Sequence, residues 1–417
     1  MHEKKTKRNE MRRKEGMMMC RVVAAAVFVC AAGIASAGDP RAERPIGVFD
    51  SGVGGLTVLE KLLSVDVVDN KTGALGGDGV PDLQGERFTF LGDQANLPYG
   101  NYAGRGRSAF LRELAIRNAM FLMSDGYYRD AAEEFPGGAK EPVKIVVIAC
   151  NTATAYGLKA IESTLLNAGS RVHVVGVVNA GCRSALEQLG AGPQSEPFAV
   201  GVLSTAGTCA SGAYPRTLLE EAAKRGMKNM PTPVALGCPH LADSIELGSP
   251  RVESLARGYF AALVESHRAS GSRVPIRALI LGCTHYPFVL HHFKAELDRL
   301  RKDEKYAGLL ADDFKFVDPA IDTAVECRRI LAAEGLLARR EGPSSVSAYV
   351  SIPSASLPPD KVQANGTLAD DYKYGRDPGR DVVDTKFVPI AKGTVDRDAF
   401  YRLVDMLPAV RGLLPRE

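Results

Sequence analysis

Two cysteines stand where a thiol can do chemistry. Cys150 ends the run Lys144-Ile-Val-Val-Ile-Ala-Cys150 and is followed by Asn151-Thr152, while Cys283 ends Arg277-Ala-Leu-Ile-Leu-Gly-Cys283 and is followed by Thr284-His285-Tyr286-Pro287. Each short apolar run reads as a strand buried on both faces, and each thiol falls just before a helical stretch. The carboxyl end of a parallel strand is where ligands of open α/β sheets bind. A helix N-terminus at the same place supplies free N–H groups and positive potential, which favour the reactive thiolate. One such cysteine is as readily a packing residue. The repetition shifts the reading towards chemistry, because two strand-end thiols on two sheets can face each other across a cleft.

The elements that must carry these thiols follow in order. Pro45-Ile-Gly-Val-Phe-Asp50 reads as a strand, then comes the glycine-rich turn Ser51-Gly-Val-Gly-Gly55 and a helix through Leu56, Leu59 and Leu62. Such a turn brings backbone N–H groups close to an anion, but G-x-G-x-x-G is absent, so a nucleotide site has little support. Phe88 to Leu91 reads as a strand leading into Gly92-Asp93 and the turn Pro98-Tyr99-Gly100, and a helix is expected over about 108–123. A helix from Cys150 to about Leu166 precedes strand Val172 to Val178. Further strands are expected at 198–203, 234–236, 278–281 and 314–317, with helices through Leu290, Phe293 and Leu297, over about 323–337 and over 396–407. The segments 66–85, 125–143 and 341–396 are polar and rich in Gly, Pro, Ser or Asp, and read as insertions, the last around strand-like Ser347 to Ser351. Strands alternate with helices throughout, which predicts an α/β fold with parallel sheets.

Composition sets the class. The 417 residues are 45% hydrophobic and 24% charged, which suits a soluble globular chain of two or three domains. The net charge of +3 is carried by residues 1–37, whose eight Lys/Arg stand against three Asp/Glu; the remainder holds 44 basic and 46 acidic residues. No basic patch with interleaved aromatics is present, so nucleic acid is not an expected partner. Residues 1–37 read as a signal peptide: a basic region, an apolar run from Val22 to Ile34, and the cleavage pattern Ala35-Ser36-Ala37. The run is short for a membrane span. The expectation is an exported protein without stable membrane insertion, with an N-terminal anchor or a cytoplasmic product from a misplaced start as the rivals. Beyond Cys20 and Cys30 the chain holds Cys150, Cys182, Cys209, Cys238, Cys283 and Cys327, with no compact framework spacing of the kind disulfide-stapled domains show.

Six blocks together resemble the glutamate racemases of the aspartate/glutamate racemase superfamily: Ile46 to Thr57, Gly92-Asp93 with Pro98-Tyr99-Gly100, Ala149 to Ala153, Thr205 to Thr208 with Ser211 and Tyr214, Cys238-Pro-His-Leu241 with Glu246, and Leu281 to Pro287. The resemblance implies two pseudo-symmetric parallel-sheet α/β domains with the active site in the cleft between them, the first from 44–178 plus 312–417 and the second from 179–311. It implies interconversion of L- and D-glutamate without cofactor or metal, the D-isomer supplying peptidoglycan. By resemblance Cys150 takes the α-proton of the D-isomer and Cys283 that of the L-isomer, with Asp50 assisting the first and His285 and Glu246 the second. Ser51, Pro98, Tyr99, Gly100, Asn151, Thr152, Thr205, Thr208 and Thr284 are implied to hold the substrate. The residues suit this chemistry themselves. Racemisation needs two opposed acid/base groups, one carrying a proton and one not, and a thiol of ordinary pKa of roughly 8.5 is easily tuned for either part.

Other readings exist for each residue. Asp50 could cap the following helix, His285 could be a core histidine, Glu246 a surface carboxylate, and Ser51, Thr152 and Thr208 plain N-caps. Cys238-x-His240 with Cys283-x-His285 could suggest zinc, though ligands at i and i+2 are not the usual structural spacing. A racemase for another amino acid, acting outside the cytoplasm, and a binding protein that has lost turnover are the alternative functions; a binder needs neither thiol. A second copy of the chain is the one macromolecular partner the reading allows for.

Overall fold

The computed structural model describes residues 39–340, 342–378, 384–391, 393–395 and 397–414; the expected signal peptide lies outside them. Along the chain run β1 (Ile46–Asp50), α1 (Leu56–Ser64), β2 (Arg87–Gly92), α2 (Ser108–Met123), β3 (Ile145–Ile148), α3 (Asn151–Asn167), β4 (His173–Gly176), α4 (Val177–Gln188), β5 (Ala199–Ser204), α5 (Ala206–Ala210), α6 (Ala213–Lys224), β6 (Thr232–Gly237), α7 (Leu241–Glu246) and α8 (Val252–Ala269). Then follow β7 (Ile276–Gly282), α9 (Leu290–Arg301), β8 (Leu310–Val317), α10 (Pro319–Ala333), β9 (Ser345–Pro353), α11 (Asp370–Gly375), β10 (Thr385–Pro389) and α12 (Arg397–Asp405).

The strands form two principal sheets. The first has the order β10-β9-β2-β1-β3-β4 and the second β8-β7-β5-β6. All pairings within them are parallel except β9 with β10. The two thiols therefore leave central strands, β3 and β7, of different sheets.

Burial on both faces explains the apolar runs. Alternate side chains of β1 and β3, Ile46, Val48, Ile145 and Val147, enter a core with α1, α10 and α12. Phe49, Val146 and Ile148 enter the opposite core with α2 and α3. The second sheet is sandwiched in the same way, Leu279 and Leu281 facing one core and Ala278 and Ile280 the other. Each fully buried large side chain is worth about 1.5–3 kcal/mol relative to exposure, so the register of these strands, and the position of the residue after each, is firmly set.

Several expectations need correction. The strand over Val172 to Val178 is shorter, because the chain turns into α4 at Val177. The helix expected over 323–337 starts earlier, at Pro319, where Asp318 Oδ1 accepts the Ala320 N–H at 3.0 Å. β8 belongs to the second sheet and extends it to Val317, past the expected boundary at 311. The segment 341–396 is no plain insertion: β9 pairs in parallel with β2, and β10 adds an antiparallel edge. Segment 125–143 holds a two-residue hairpin, and 66–85 is a loop held by Asp66, Asp69, Asp78 and Asp82 accepting its own backbone N–H groups. All six described cysteines are free thiols. Among the described residues no helix is long and apolar enough to cross a membrane.

Candidate active site

Both thiols line one small cavity of about 30 Å³, room for roughly two waters. Cys150 leaves the end of β3 and is itself the N-cap of α3, its Sγ accepting the Ala153 N–H at 3.4 Å. Thr152, a candidate for that cap, falls instead in the first turn of the helix, as does Asn151. Cys283 leaves the end of β7, followed by Thr284 and His285. Ser51, Pro98, Tyr99, Gly100, Asn151, Thr152, Thr205, Thr284, His285 and Glu246 complete most of the wall.

Two expected residues stand behind it. Asp50 is buried beneath the glycine turn, its Oδ2 accepting N–H bonds from Gly55 at 2.9 Å and Gly52 at 3.4 Å. It thus holds the turn that leads into α1, whose N-cap is Gly55, while its Oδ1 has no partner. Thr208 Oγ1 lies 2.9 Å from Thr152 Oγ1 and accepts from Thr205 Oγ1 at 3.0 Å. Thr205, not Thr208, is the N-cap of α5.

The lobes close tightly around the cavity. Tyr214 OH donates to Asn151 Oδ1 at 2.6 Å, Thr57 Oγ1 to the Thr284 carbonyl at 3.2 Å, and Thr152 and Thr205 hydroxyls meet at 3.1 Å. Two glycines permit this approach. A Cβ at Gly54 would stand inside the His285 ring, and one at Gly207 would collide with the Gly100 carbonyl. The glycine turn after β1 therefore serves as a seat for a histidine from the other sheet.

Charge is distributed unequally. Burial first, and the Asp50 carboxylate second, push the Cys150 thiol far above its ordinary value, against weaker help from the Ala153 N–H and Ser51 hydroxyl. Its Sγ donates to Ser51 Oγ at 3.6 Å. Burial likewise raises Asp50, opposed by His285 and by the Gly55, Ser51 and Gly52 N–H groups. On the other side, His285 Nδ1 lies 3.7 Å from Cys283 Sγ and its Nε2 3.0 Å from Glu246 Oε2. Burial disfavours an imidazolium here, but the Cys283 sulfur and Glu246 carboxylate outweigh it and hold His285 well above its ordinary value. Glu246, which local sequence would leave on a surface helix, is buried by this bond.

Sequence reasoning did not single out Asp93 as a site residue. Its carboxylate gathers the Tyr99 hydroxyl, Asn96 Nδ2 at 2.8 Å and Ser351 Oγ at 2.6 Å, and so fixes the loop that brings Tyr99 and Gly100 to the cavity. The signal was its place just past the end of β2, matching Asp50 at the end of β1. Asp243, which also lines the cavity, carried no such signal. Among the described residues no group of three or more His, Cys, Asp or Glu is arranged to hold a metal ion.

The likeness to known proteins agrees with this geometry. Residues 125–302 match the Asp/Glu/Hydantoin racemase family model. A glutamate racemase of Methylococcus capsulatus is 32% identical over 308 residues, 72% of this chain and 84% of that protein. One of Thermus thermophilus is 33% identical over 300 residues, 72% and 83% of the two chains. The crystal structure of a glutamate racemase isoform from Bacillus anthracis superposes with a TM-score of 0.51 at 25% identity, over 74% of this chain and 88% of that one. With two α/β sheets, opposed strand-end thiols and relatives of this extent, the chain belongs to the Asp/Glu racemase family and is an amino-acid racemase, an isomerase.

Proposed function

We propose that the enzyme interconverts L- and D-glutamate by two-base proton transfer through side chains alone. The observation that carries this is the pair Cys150 and Cys283, one from each sheet, lining one cavity. The substrate's α-carbon would sit between the sulfurs. Cys283, backed by protonated His285 and Glu246, takes the α-proton of the L-isomer; Cys150, kept as a thiol by its surroundings, delivers a proton to the opposite face. The reverse reaction exchanges the parts, Asp50 lying behind Cys150. Hydroxyl and amide groups of Ser51, Asn151, Thr152, Thr205 and Thr284, with the Pro98-Tyr99-Gly100 turn, hold the ammonium and carboxylates; Thr208 acts through Thr152 and Thr205. Neutral donors suit a site that must not trap its ground state.

The D-glutamate formed would enter peptidoglycan, and cleavage after Ala37 would place the enzyme outside the cytoplasm. Incubation in deuterated water with either isomer tests the chemistry. Wild-type enzyme should incorporate α-deuterium into glutamate, and Cys150→Ser and Cys283→Ser should each lose about a thousandfold in racemisation rate, within the usual general acid–base range. Absence of exchange with glutamate by wild type overturns the substrate assignment; undiminished exchange in either serine variant overturns the mechanism.

A further inference from the structure

Beside the reaction cavity lies a second, larger chamber of about 220 Å³. The two share Leu97, Pro98, Asp243 and Glu246 as a common wall. Half of that wall is the loop that goes on to present Tyr99 and Gly100 to the substrate, and besides the bonds it makes to Asp93 and Asn118 the loop is fastened by the 342–376 segment. Lys373, only 2% exposed, donates from Nζ to the Leu97 carbonyl at 2.7 Å and stands 3.4 Å from Asp370 Oδ1. The Leu368 N–H donates to the Ala95 carbonyl at 2.9 Å. Ser351 Oγ donates to Asp93 and accepts the Ala95 N–H at 3.0 Å, and Arg376 donates to the Asn96 side chain.

We propose that Lys373 and Ser351 are specificity-determining positioning residues, which hold the Leu97–Gly100 loop as a partition between the reaction cavity and the adjoining chamber. Neither touches the reacting atoms. A buried ammonium is costly to desolvate and persists only where its bonds repay the burial; here the main acceptor is the carbonyl immediately preceding Pro98. The reaction cavity is small because the partition is closed. A longer substrate gains volume only through the shared wall, so loosening Leu97 joins the two spaces and admits amino acids extended beyond glutamate. Size selection at this site therefore rests on a segment remote from the thiols' own strands, β3 and β7: it comprises β9, on the far side of the first sheet from β3, and the chain that follows β9. The proposal builds on the reading of the cavity as the reaction site, and its first test needs no turnover.

Cys150 lies behind the partition, whereas Cys182 and Cys327 are fully buried in cores away from it and report general loosening. Full-length wild type, Lys373→Met and Ser351→Ala are treated with iodoacetamide, and alkylation of each cysteine is timed by peptide mass spectrometry. The expected result is about tenfold faster modification of Cys150 in both variants with Cys182 and Cys327 unchanged. Equal Cys150 rates in wild type and variants, or a parallel rise at all three cysteines, overturns the partition. In the second arm, α-deuterium exchange is compared for glutamate and its γ-methyl ester. The ester-to-glutamate ratio of kcat/KM should rise about tenfold in Lys373→Met, with the larger share in KM; an unchanged ratio overturns the specificity role. If wild type exchanges neither compound, the glutamate reading fails while the alkylation rates still decide the partition.

Discussion

Cys150 and Cys283 occupy equivalent places, each just past the end of a central parallel strand, yet their surroundings are opposite in kind. Cys150 is backed by a buried carboxylate, Asp50, with one unpartnered oxygen. Cys283 is flanked by an imidazole whose proton the sulfur and Glu246 together hold more tightly than usual. A reaction symmetric in its two products is thus served by an asymmetric site. Under the proposed mechanism the reason is proton count: two bases gripping one carbon need a single proton between them, and it must rest on the sulfur away from the face about to be attacked. Burial and Asp50 raise the Cys150 thiol and so favour its keeping the proton, which under the proposed mechanism suits the site to the L-isomer. The D-isomer meets the same site after one turnover has moved the proton across.

That contrast is breakable, within one constraint. Free L- and D-isomers have equal free energy, so any variant must lower kcat/KM equally in both directions. What differs is which proton transfer limits the rate. The largest effect belongs to Glu246→Gln, which removes the charge that holds His285 protonated. We expect kcat/KM to fall about a hundredfold, with the primary isotope effect rising more for α-deuterated L-glutamate than for the D-isomer. Removing one partner of a buried pair also costs roughly 3 kcal/mol of stability. His285 titrates above its unfolded value near 6.5, so its stabilisation is complete below that pH and is lost as pH rises through the folded value. The stability deficit of Glu246→Gln should accordingly be greatest in acid to neutral solution and shrink in alkali. A deficit that grows with pH would contradict the charge assignment.

Asp50→Asn should act on the other face and act less, because Asp50 stands behind the cavity wall. A fall in kcat/KM of about tenfold is expected, at or below the low end of acid–base contributions. Here the isotope effect should rise more for α-deuterated D-glutamate. Identical isotope patterns in Asp50→Asn and Glu246→Gln would erase the distinction between the two halves.

The parts of this site differ in how well the sequence announces them. Ile145 to Ile148 and Ala278 to Leu281 are too apolar and too short to be anything but strands buried on both faces, so the thiols after them were placed by position alone. Asp50, His285 and Glu246 entered the site through the family resemblance and not through local pattern. Local pattern alone would leave Glu246 on a surface helix, since its neighbours Ser244 and Leu247 suit one and its burial is decided by His285, which lies past the end of β7. The 341–396 segment was read as an insertion because its composition is poor in apolar residues. Yet of β9's nine residues only Tyr349 to Ser351 are fully buried, and one well-filled stretch suffices for a strand near the sheet's edge. A buried lysine such as Lys373 leaves no trace in local pattern at all. Its burial comes from a carbonyl at Leu97, distant in the chain, and only the folded arrangement brings the two together.

The smallest expected effect separates the two carboxylates most directly. Asp50 is raised above its ordinary value because burial outweighs the attraction of His285 and three N–H bonds. A carboxyl bound more tightly to its proton in the folded state stabilises fully below the unfolded value near 3.8, and that contribution is lost as pH rises through the folded value. Ionising Asp50 is therefore a cost to folding, whereas the Glu246 carboxylate, bonded to His285, supports it. Asp50→Asn should raise unfolding stability at pH 7 by about 1 kcal/mol, the scale usual for relieving a strained functional position. The gain should shrink on acidification, as the wild-type carboxyl takes up its proton and comes to match the neutral amide. Chemical unfolding of both proteins at pH 5 and pH 8 measures this. Stabilisation by Asp50→Asn beside destabilisation by Glu246→Gln would show that the Cys150 half holds its charge against the fold and the Cys283 half holds its charge with it; loss of stability in both would mean that Asp50 is a structural cap first.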